Sequence, residues 1–403
     1  MVATRLTTVE DLDLMGEEER EGLEIFDGVP REHPGMGVRH VRRRHEWGCL
    51  RRTSHGGADR QAAEPSRFAY RLGASEPLRF NGGLARVVTA REFPALTGMS
   101  IPAEEFDPGA LQASHWHPNA GEVHYVVAGE GTAAVVSPGG EHASFDLRPG
   151  SVSFFPRGHY HAVHNTGTEP LRVRAAFTHE TPAEFGLGEV LGFFPKPLLA
   201  QVLDVPAADF PDLPSPARRP VVPLVPVGET PPAGPAAVDA EPYTLNLDGL
   251  DPAVYAGGTV TNVRGTELAR LDGISFLPLA IAPGGVREPH WHPNADELLY
   301  VAGGEAEICL VGPDGARESF AIGAGDLAFF PMNWIHSIAS AGPDPLETIV
   351  YLGHAAPARI DLSDIVGSLP RAVTAASLGL DSDALDGLPG RTGVVVAAAE
   401  GGD

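Results

Sequence analysis

Apolar residues occur along this chain in short runs that alternate with polar ones, and glycine- and proline-rich turns separate the runs. Residues 122–127 (EVHYVV), 151–155 (SVSFF), 297–301 and 326–330 are of this kind, set apart by turns such as SPGG at 137–140 and GPDG at 312–315. A period of two puts successive side chains on opposite faces of a strand. Many short strands with turns between them predict an antiparallel sandwich or barrel. Helix signals are confined to residues 195–203 and 370–378, each opening on a proline, where the missing N–H does no harm.

The chain repeats itself. HWHPNAGE at 115–122 returns 175 residues later as HWHPNADE at 290–297. The same offset carries Gly82-Gly83 onto Gly257-Gly258, Phe154-Phe155-Pro156 onto Phe329-Phe330-Pro331, His161 onto His336 and Pro195 onto Pro370. A register kept without gaps from about residue 82 to 214 means two copies of one domain. Between the copies, residues 206–235 hold ten prolines. Proline fixes φ and lacks a donor, so this stretch reads as a semi-rigid extended linker and not as a central strand or helix interior. The expected layout is an irregular N-terminal arm at 1–65, a first barrel at 66–205, a linker at 206–240, a second barrel at 241–395 and a tail at 396–403. Each barrel is expected to carry a short helical appendage.

Composition narrows the functions. Lysine and arginine number 29 against 53 acids, and a net charge of −24 repels phosphate backbones, so no nucleic-acid partner is expected. The arginines at 39, 42, 43, 44, 51 and 52 read as a solvated arm against an acidic body. Cys49 and Cys309 are too few for a disulfide framework or a cysteine-rich metal site. No apolar run is long enough to span a membrane, and no apolar stretch follows the first arginine as in a secretory signal. The expectation is a soluble, cytoplasmic protein.

The candidate chemistry lies in the repeated histidines. His115 and His117 are two apart, which on a strand places both imidazoles on one face. Glu122 follows after Pro118-Asn119 breaks the strand and resets its register, and His161 arrives from the turn-rich stretch GSVSFFPRGHYHAVHN at 150–165. The second copy supplies His290, His292, Glu297 and His336, with Asn333 where the first has Gly158. One H-x-H pair is more often incidental than a ligand pair. Two copies in register, each with the glutamate and the distal histidine, predict two metal ions per chain. Three imidazoles and a carboxylate suit Mn(II), Fe(II), Ni(II) or Zn(II), and an octahedral ion would keep two positions open. His124, His159 and His164 have no histidine counterparts and read as packing or solvated residues. Trp116 and Trp291 alternate with the ligands and are expected to pack in a core.

The H-x-H-x4-E element and the G-x5-P-x-G-x2-H-x3-N spacing from Gly150 to Asn165 resemble the two cupin motifs. Together with NGGLARVVTAREFP at 81–94 and REPHWHPNADELLY at 287–300, they resemble the bicupin oxalate decarboxylases over roughly residues 66–395. The resemblance implies two tandem cupin jelly-roll barrels, all-β apart from the helical appendages. It implies manganese on three histidines and a glutamate in each barrel, with iron the next choice, and a homo-oligomer. It also implies cleavage of oxalate to formate and carbon dioxide with dioxygen required.

In that pattern an arginine three residues before the first histidine pairs with the substrate carboxylate, and a glutamate on a lid loop manages the proton. Arg287 holds the arginine place in the second copy, but Gln112 holds it in the first. The lid acid expected in the first copy is Glu180, in THETPAE at 178–184, and GHAAPAR at 353–359 has none. The leading expectation is a metal-dependent enzyme acting on a small carboxylate, oxalate first. Gln112 keeps open an Fe(II)-dependent oxygenase or carbon–carbon cleaving enzyme acting on a substrate without a second carboxylate. Oxalate oxidation to peroxide and a non-catalytic metal-binding storage or sensing protein remain the other readings.

Overall fold

In a computed structural model of the chain, residues 23–26, 29–32, 66–212, 221–223, 240–385 and 393–397 are described. Residues 1–54 form a unit of their own, in which Leu23–Phe26 pairs antiparallel with Val29–Glu32. The arginine-rich stretch of the arm lies outside the described residues.

The remainder is two barrels of antiparallel strands, each made of two sheets. In the first barrel one sheet runs His142–Leu147, Gly131–Val136, Tyr160–His164, Ala110–Trp116, Phe185–Gly186. Facing it is a sheet centred on Ser151–Phe155, Glu122–Ala128, Leu171–Phe177 and Ile101–Phe106. The second barrel repeats this with Val286–Trp291 and Ile335–Ser340 in one sheet and Glu297–Gly303, Leu327–Phe330 and Leu346–Leu352 in the other. The expectation of two tandem all-β barrels is what the structure shows.

The barrels exchange strands. Thr244–Asn246 joins the first barrel beside Ser151–Phe155, with Asn246 opposite Ser151. Ala69–Tyr70 joins the second barrel beside Leu327–Phe330, with Tyr70 opposite Leu327. The exchanged strands occupy equivalent places in the two repeats, so the trade is symmetric. Ranges drawn at 66–205 and 241–395 therefore each contain a strand that belongs to the other barrel's sheet.

Alternation along the Phe-Phe-Pro segments explains the seam. Phe154 and Phe329 point into a shared apolar cluster that also holds Met99, Phe276 and Tyr351. Phe155 and Phe330, one residue on, point into their own barrel interiors. Each fully buried phenyl ring contributes about 2–3 kcal/mol, and the buried Tyr351 hydroxyl is satisfied by donating to the Arg174 carbonyl at 3.2 Å.

Part of the proline-rich stretch is built into the first barrel. Val221–Pro223 pairs with Ala110–Trp116, as Val395–Val396 pairs with Val286–Trp291. Proline is tolerated there because the segment lies at an edge. The helices Lys196–Val202 and Arg371–Leu378 start after Pro195 and Pro370. A second helix precedes each, Leu187–Phe193 and Leu362–Ser368. Gly188 and Gly192, poor helix formers, hide the first of these in the sequence.

Candidate metal centres

Two buried groups of donors form at equivalent places in the barrels: His115, His117, Glu122 and His161 in the first, and His290, His292, Glu297 and His336 in the second. Sheet register assembles them. His161 lies directly opposite His115 on the neighbouring strand, and His336 opposite His290. Glu122 and Glu297 open strands of the facing sheets, so the carboxylates reach in from the other wall. Phe155 and Phe330 stack on the distal histidines at 4.4 and 4.2 Å with rings nearly parallel, which fixes those imidazoles from behind.

Every one of the six histidines is oriented by a backbone carbonyl at its Nδ1. The partners are Ala113, Ala183 and His159 for His115, His117 and His161. For His290, His292 and His336 they are Glu288, Ala358 and Trp334. That arrangement holds the proton on Nδ1 and turns Nε2 inward as a donor. Glu122 Oε2 lies 3.2 Å from His117 Nε2 and 3.1 Å from His161 Nε2. Glu297 Oε2 lies 3.1 Å from both His292 and His336 Nε2. Ligand bonds of ~2.1 Å at right angles would set neighbouring donor atoms ~3.0 Å apart, so the donor set and its spacing fit one divalent cation in each barrel.

Electrostatics follow the same plan. Burial works to raise the Glu122 carboxyl, but His124, His117 and His161 hold it well below the usual carboxylate range. Glu297 is likewise held down, against its burial, by His336 and His292. Burial, with the neighbouring histidines, drives His115 and His290 well below their ordinary value, so both are neutral and ready to donate. His117 is raised despite its burial, chiefly by its contact with Glu122.

The turns that deliver the distal histidines match. Gly158 and Asn333 both have positive φ, 77° and 65°, and their N–H groups donate to the carbonyls of His117 and His292 at 2.9 and 3.0 Å. Asparagine tolerates the left-handed region better than other residues with a side chain. The exchange of glycine for asparagine therefore leaves the site geometry intact.

Beyond the donors, the two sites differ. In the first, His124 is buried and its Nε2 lies 2.8 Å from Glu122 Oε1. Glu104 belongs to the same cluster, and its carboxyl is pushed up to about 7 by burial first and by Glu122 and Glu184 next. Gln112 is buried against it, its Nε2 donating to Glu104 Oε1 across a long 3.4 Å. Glu104 goes unread in the sequence, and His124 reads there only as a packing or solvated residue, because leucine stands at 279 and 299 and repeat comparison discards both. The same mismatch was the available signal.

Glu180 is not brought to the donors. Its carboxylate is 41% exposed, 3.9 Å from His179 Nδ1, and accepts from the Gly98 N–H at 3.2 Å. Within residues 178–184, Glu184 is the acid whose charge acts on His117 and Glu104. It follows Ala183, whose carbonyl holds the His117 ring. The segment itself is tied down by Asn119, which accepts from Ala183 N at 2.7 Å and donates to Thr181 O at 3.2 Å. Asn294 does the same to Ala358 and Ala356. Identical asparagines in both HWHPNA motifs were the signal for this clamp, which the sequence reading took only as a strand break. Trp116 and Trp291 are half-buried instead of core, and Trp116 packs on the exposed ring of Phe185 at 5.4 Å.

In the second site Arg287 is buried. Its Nη2 lies 2.7 Å from Asp361 Oδ1 and its Nη1 donates to the Val394 carbonyl at 3.0 Å. Burial lowers the guanidinium from its ordinary value, opposed by Asp361. A cavity of about 40 Å³ lies here, lined by Arg287, His290, His292 and Glu297 together with apolar side chains such as Val260, Leu279 and Val350. Among the described residues no helix is long and apolar enough to cross a membrane.

Comparison with known proteins agrees with this architecture. The cupin family profile matches residues 71–205 and 245–385. The chain is 28% identical over 309 residues to the oxalate decarboxylase OxdC of Bacillus subtilis, covering 76% of this chain and 80% of that one. A structure of the Bacillus subtilis enzyme at pH 4.6 superposes with a TM-score of 0.76 at 25% identity, covering 86% of this chain and 89% of the other. A second structure of that enzyme, from a study of its Mn(II) centres, gives a TM-score of 0.76 at 24% identity and covers 86% and 91%.

Proposed function

The chain belongs to the cupin family as a bicupin of the oxalate decarboxylase type, and from that premise we propose that it is a metal-dependent lyase acting on a small carboxylate, with oxalate the first candidate. The observation that carries the reading is Arg287, a buried guanidinium lining the same cavity as the donors His290, His292 and Glu297. A carboxylate ligand entering there meets a fork of N–H donors matched to its two oxygens.

Two ions per chain fit the donors, Mn(II) first by likeness to the relative with Mn(II) centres and Fe(II) next. A bound divalent ion would supply a Lewis acid and open coordination positions for the carboxylate. The chain's own residues do the rest. Arg287 orients the anion, and the apolar wall of Val260, Leu279 and Val350 excludes water and strengthens that ion pair. Cleavage of oxalate to formate and carbon dioxide consumes one proton. Glu104, whose carboxyl is raised to about 7, stands beside the first donor group and not in the cavity of Arg287, so at the second site solvent supplies that proton.

The test is to load the protein with Mn(II), supply ¹³C-oxalate in air and follow the carbon by NMR. Equal formate and carbon dioxide, lost in Arg287→Ala and kept in Glu180→Ala, is the expected result. Unchanged oxalate with both ions bound would overturn the assignment. A second reading, an Fe(II)-dependent oxygenase on a substrate lacking a second carboxylate, draws on Gln112 and Glu104, which give the first site no cation for an anionic ligand. Oxygen uptake by iron-loaded protein without formate release would favour it. Self-association, expected from the resemblance, is supported by Phe193, Val202, Leu203 and Leu378, all more than half exposed on or beside the helical appendages, and light scattering would measure it.

A further inference from the structure

The walls of the two sites differ in charge at equivalent positions. The 175-residue register sets Arg264, Arg287 and Arg359 against Thr89, Gln112 and Glu184. The backbone around the first of these pairs is built alike. The N–H of Thr89 donates to Glu92 Oε2 at 2.9 Å, and that of Arg264 to Glu267 Oε2 at 2.8 Å. The two positions thus differ in the side chain they present. All three arginines line the cavity that also holds His290, His292 and Glu297.

Their partners do not balance them. Asp361 accepts from Arg287 Nη2 at 2.7 Å with one oxygen and from Arg359 Nε at 2.8 Å with the other. Arg264 Nη2 donates to the amide oxygen of Asn262 at 3.3 Å, and its Nε is buried without a hydrogen-bond partner. Three guanidinium groups thus share one fixed carboxylate outside the donor set. A single carboxylate on Arg287 would leave that surplus of positive charge unanswered. A ligand with two carboxylates would answer it.

We propose that Arg264 and Arg359 are specificity-determining residues of the second site, adding two cations to Arg287 so that its cavity selects small dicarboxylates over monocarboxylates. This rests on the reading of Arg287 as the carboxylate-binding residue. Asp361 is a positioning residue, holding two of the three guanidinium groups in the wall. The first site, with threonine, glutamine and glutamate in the same places, binds no anion of this kind, so one dicarboxylate binds per chain although two metal ions do.

The experiment is calorimetric titration of the Mn(II)-loaded chain, metal content checked for each variant, with formate and oxalate and with acetate and malonate. The wild type should bind one dicarboxylate per chain and prefer each dicarboxylate to its monocarboxylate partner. Arg264→Gln and Arg359→Gln should each weaken dicarboxylate binding about tenfold or more, the scale of a lost charge-assisted hydrogen bond, and leave formate and acetate within about threefold. Arg264→Lys and Arg359→Lys, which keep the charge, should retain the preference and guard against loss through misfolding. Equal losses for both ligand classes, no loss in either glutamine variant, or two dicarboxylates per chain would overturn the proposal. Arg287→Gln separates the two levels. If it weakens every carboxylate while the other two variants change nothing, only the present inference falls. If it changes nothing, the reading of Arg287 falls first.

Discussion

His124 grips the carboxylate of Glu122 from behind, Nε2 to Oε1 at 2.8 Å, leaving Oε2 as the oxygen that meets His117 and His161. The equivalent position in the second barrel is Leu299, so Glu297 has no such support. Residues that orient a ligand tune metal affinity by roughly 10–100-fold. His124→Leu should therefore weaken the first metal site by that factor and leave the second unchanged. Competition with a graded series of chelators on the Mn(II)-loaded chain would resolve the two sites. Equal weakening at both would show that His124 serves the fold and not the ligand.

Glu104 gives the metal-free protein a pH signature. Its Oε2 is shut off from solvent and lacks a partner, and burial, with Glu122 and Glu184, raises the group to about 7. Unfolded, it would titrate near the ordinary glutamate value of about 4.3. Between those values the folded state keeps a proton that the unfolded state has released, so this group's contribution is full below the unfolded value and is lost as pH rises through the folded one. Glu104→Gln, which cannot ionise, should flatten the fall in melting temperature of metal-free protein between about pH 4.5 and 7. Parallel wild-type and variant curves would count against a protonated Glu104.

How much of this was legible beforehand follows from what symmetry reveals. The eight donors that the structure gathers stand out in the sequence because both copies keep them in register, and the period-two runs around them made the barrels readable. What the repeat hides is whatever one copy lacks. Glu104 and His124 vanish against Leu279 and Leu299, and Arg264 and Arg359 against Thr89 and Glu184. The strand exchange of Ala69–Tyr70 and Thr244–Asn246 is invisible for another reason. Pairing partners are set by the apolar seam around Phe154 and Phe329, not by sequence neighbours. Spacing along the loop points to Glu180, whereas the charge of Glu184 is the one that acts on His117, because Asn119 fixes the loop at residues 181 and 183.

That clamp makes its own prediction. Asn119→Ala removes both bonds to residues 181 and 183, and with them the support of the carbonyl that orients His117. Two lost hydrogen bonds with partners left partly buried should cost about 1–3 kcal/mol. More diagnostically, amide exchange should accelerate at Ala183 while the strand Leu171–Phe177 keeps its protection. Asn294→Ala should reproduce the effect at Ala358. Uniform acceleration across the barrel would mean that the asparagine supports the whole fold, not one segment.

The ion pair of Arg287 and Asp361 is almost wholly buried, each side chain about 5% exposed or less. Removing one partner of such a pair strands the other charge, at a cost of about 3–5 kcal/mol. Asp361→Ala should therefore lower the melting temperature sharply, more than Arg287→Met, in which Asp361 keeps Arg359 Nε at 2.8 Å and an apolar chain fills the space. Because Asp361 is the carboxylate that Arg287 and Arg359 share, added oxalate should replace it. Binding to the folded state alone stabilises by mass action, by about 2.7 kcal/mol at a hundredfold excess over Kd. Thermal scans of Asp361→Ala with and without oxalate should thus show a larger rise than the wild type does, since in the wild type Asp361 already answers two of the three arginines. An equal rise in both proteins would mean that oxalate binds without engaging the guanidinium groups that Asp361 holds.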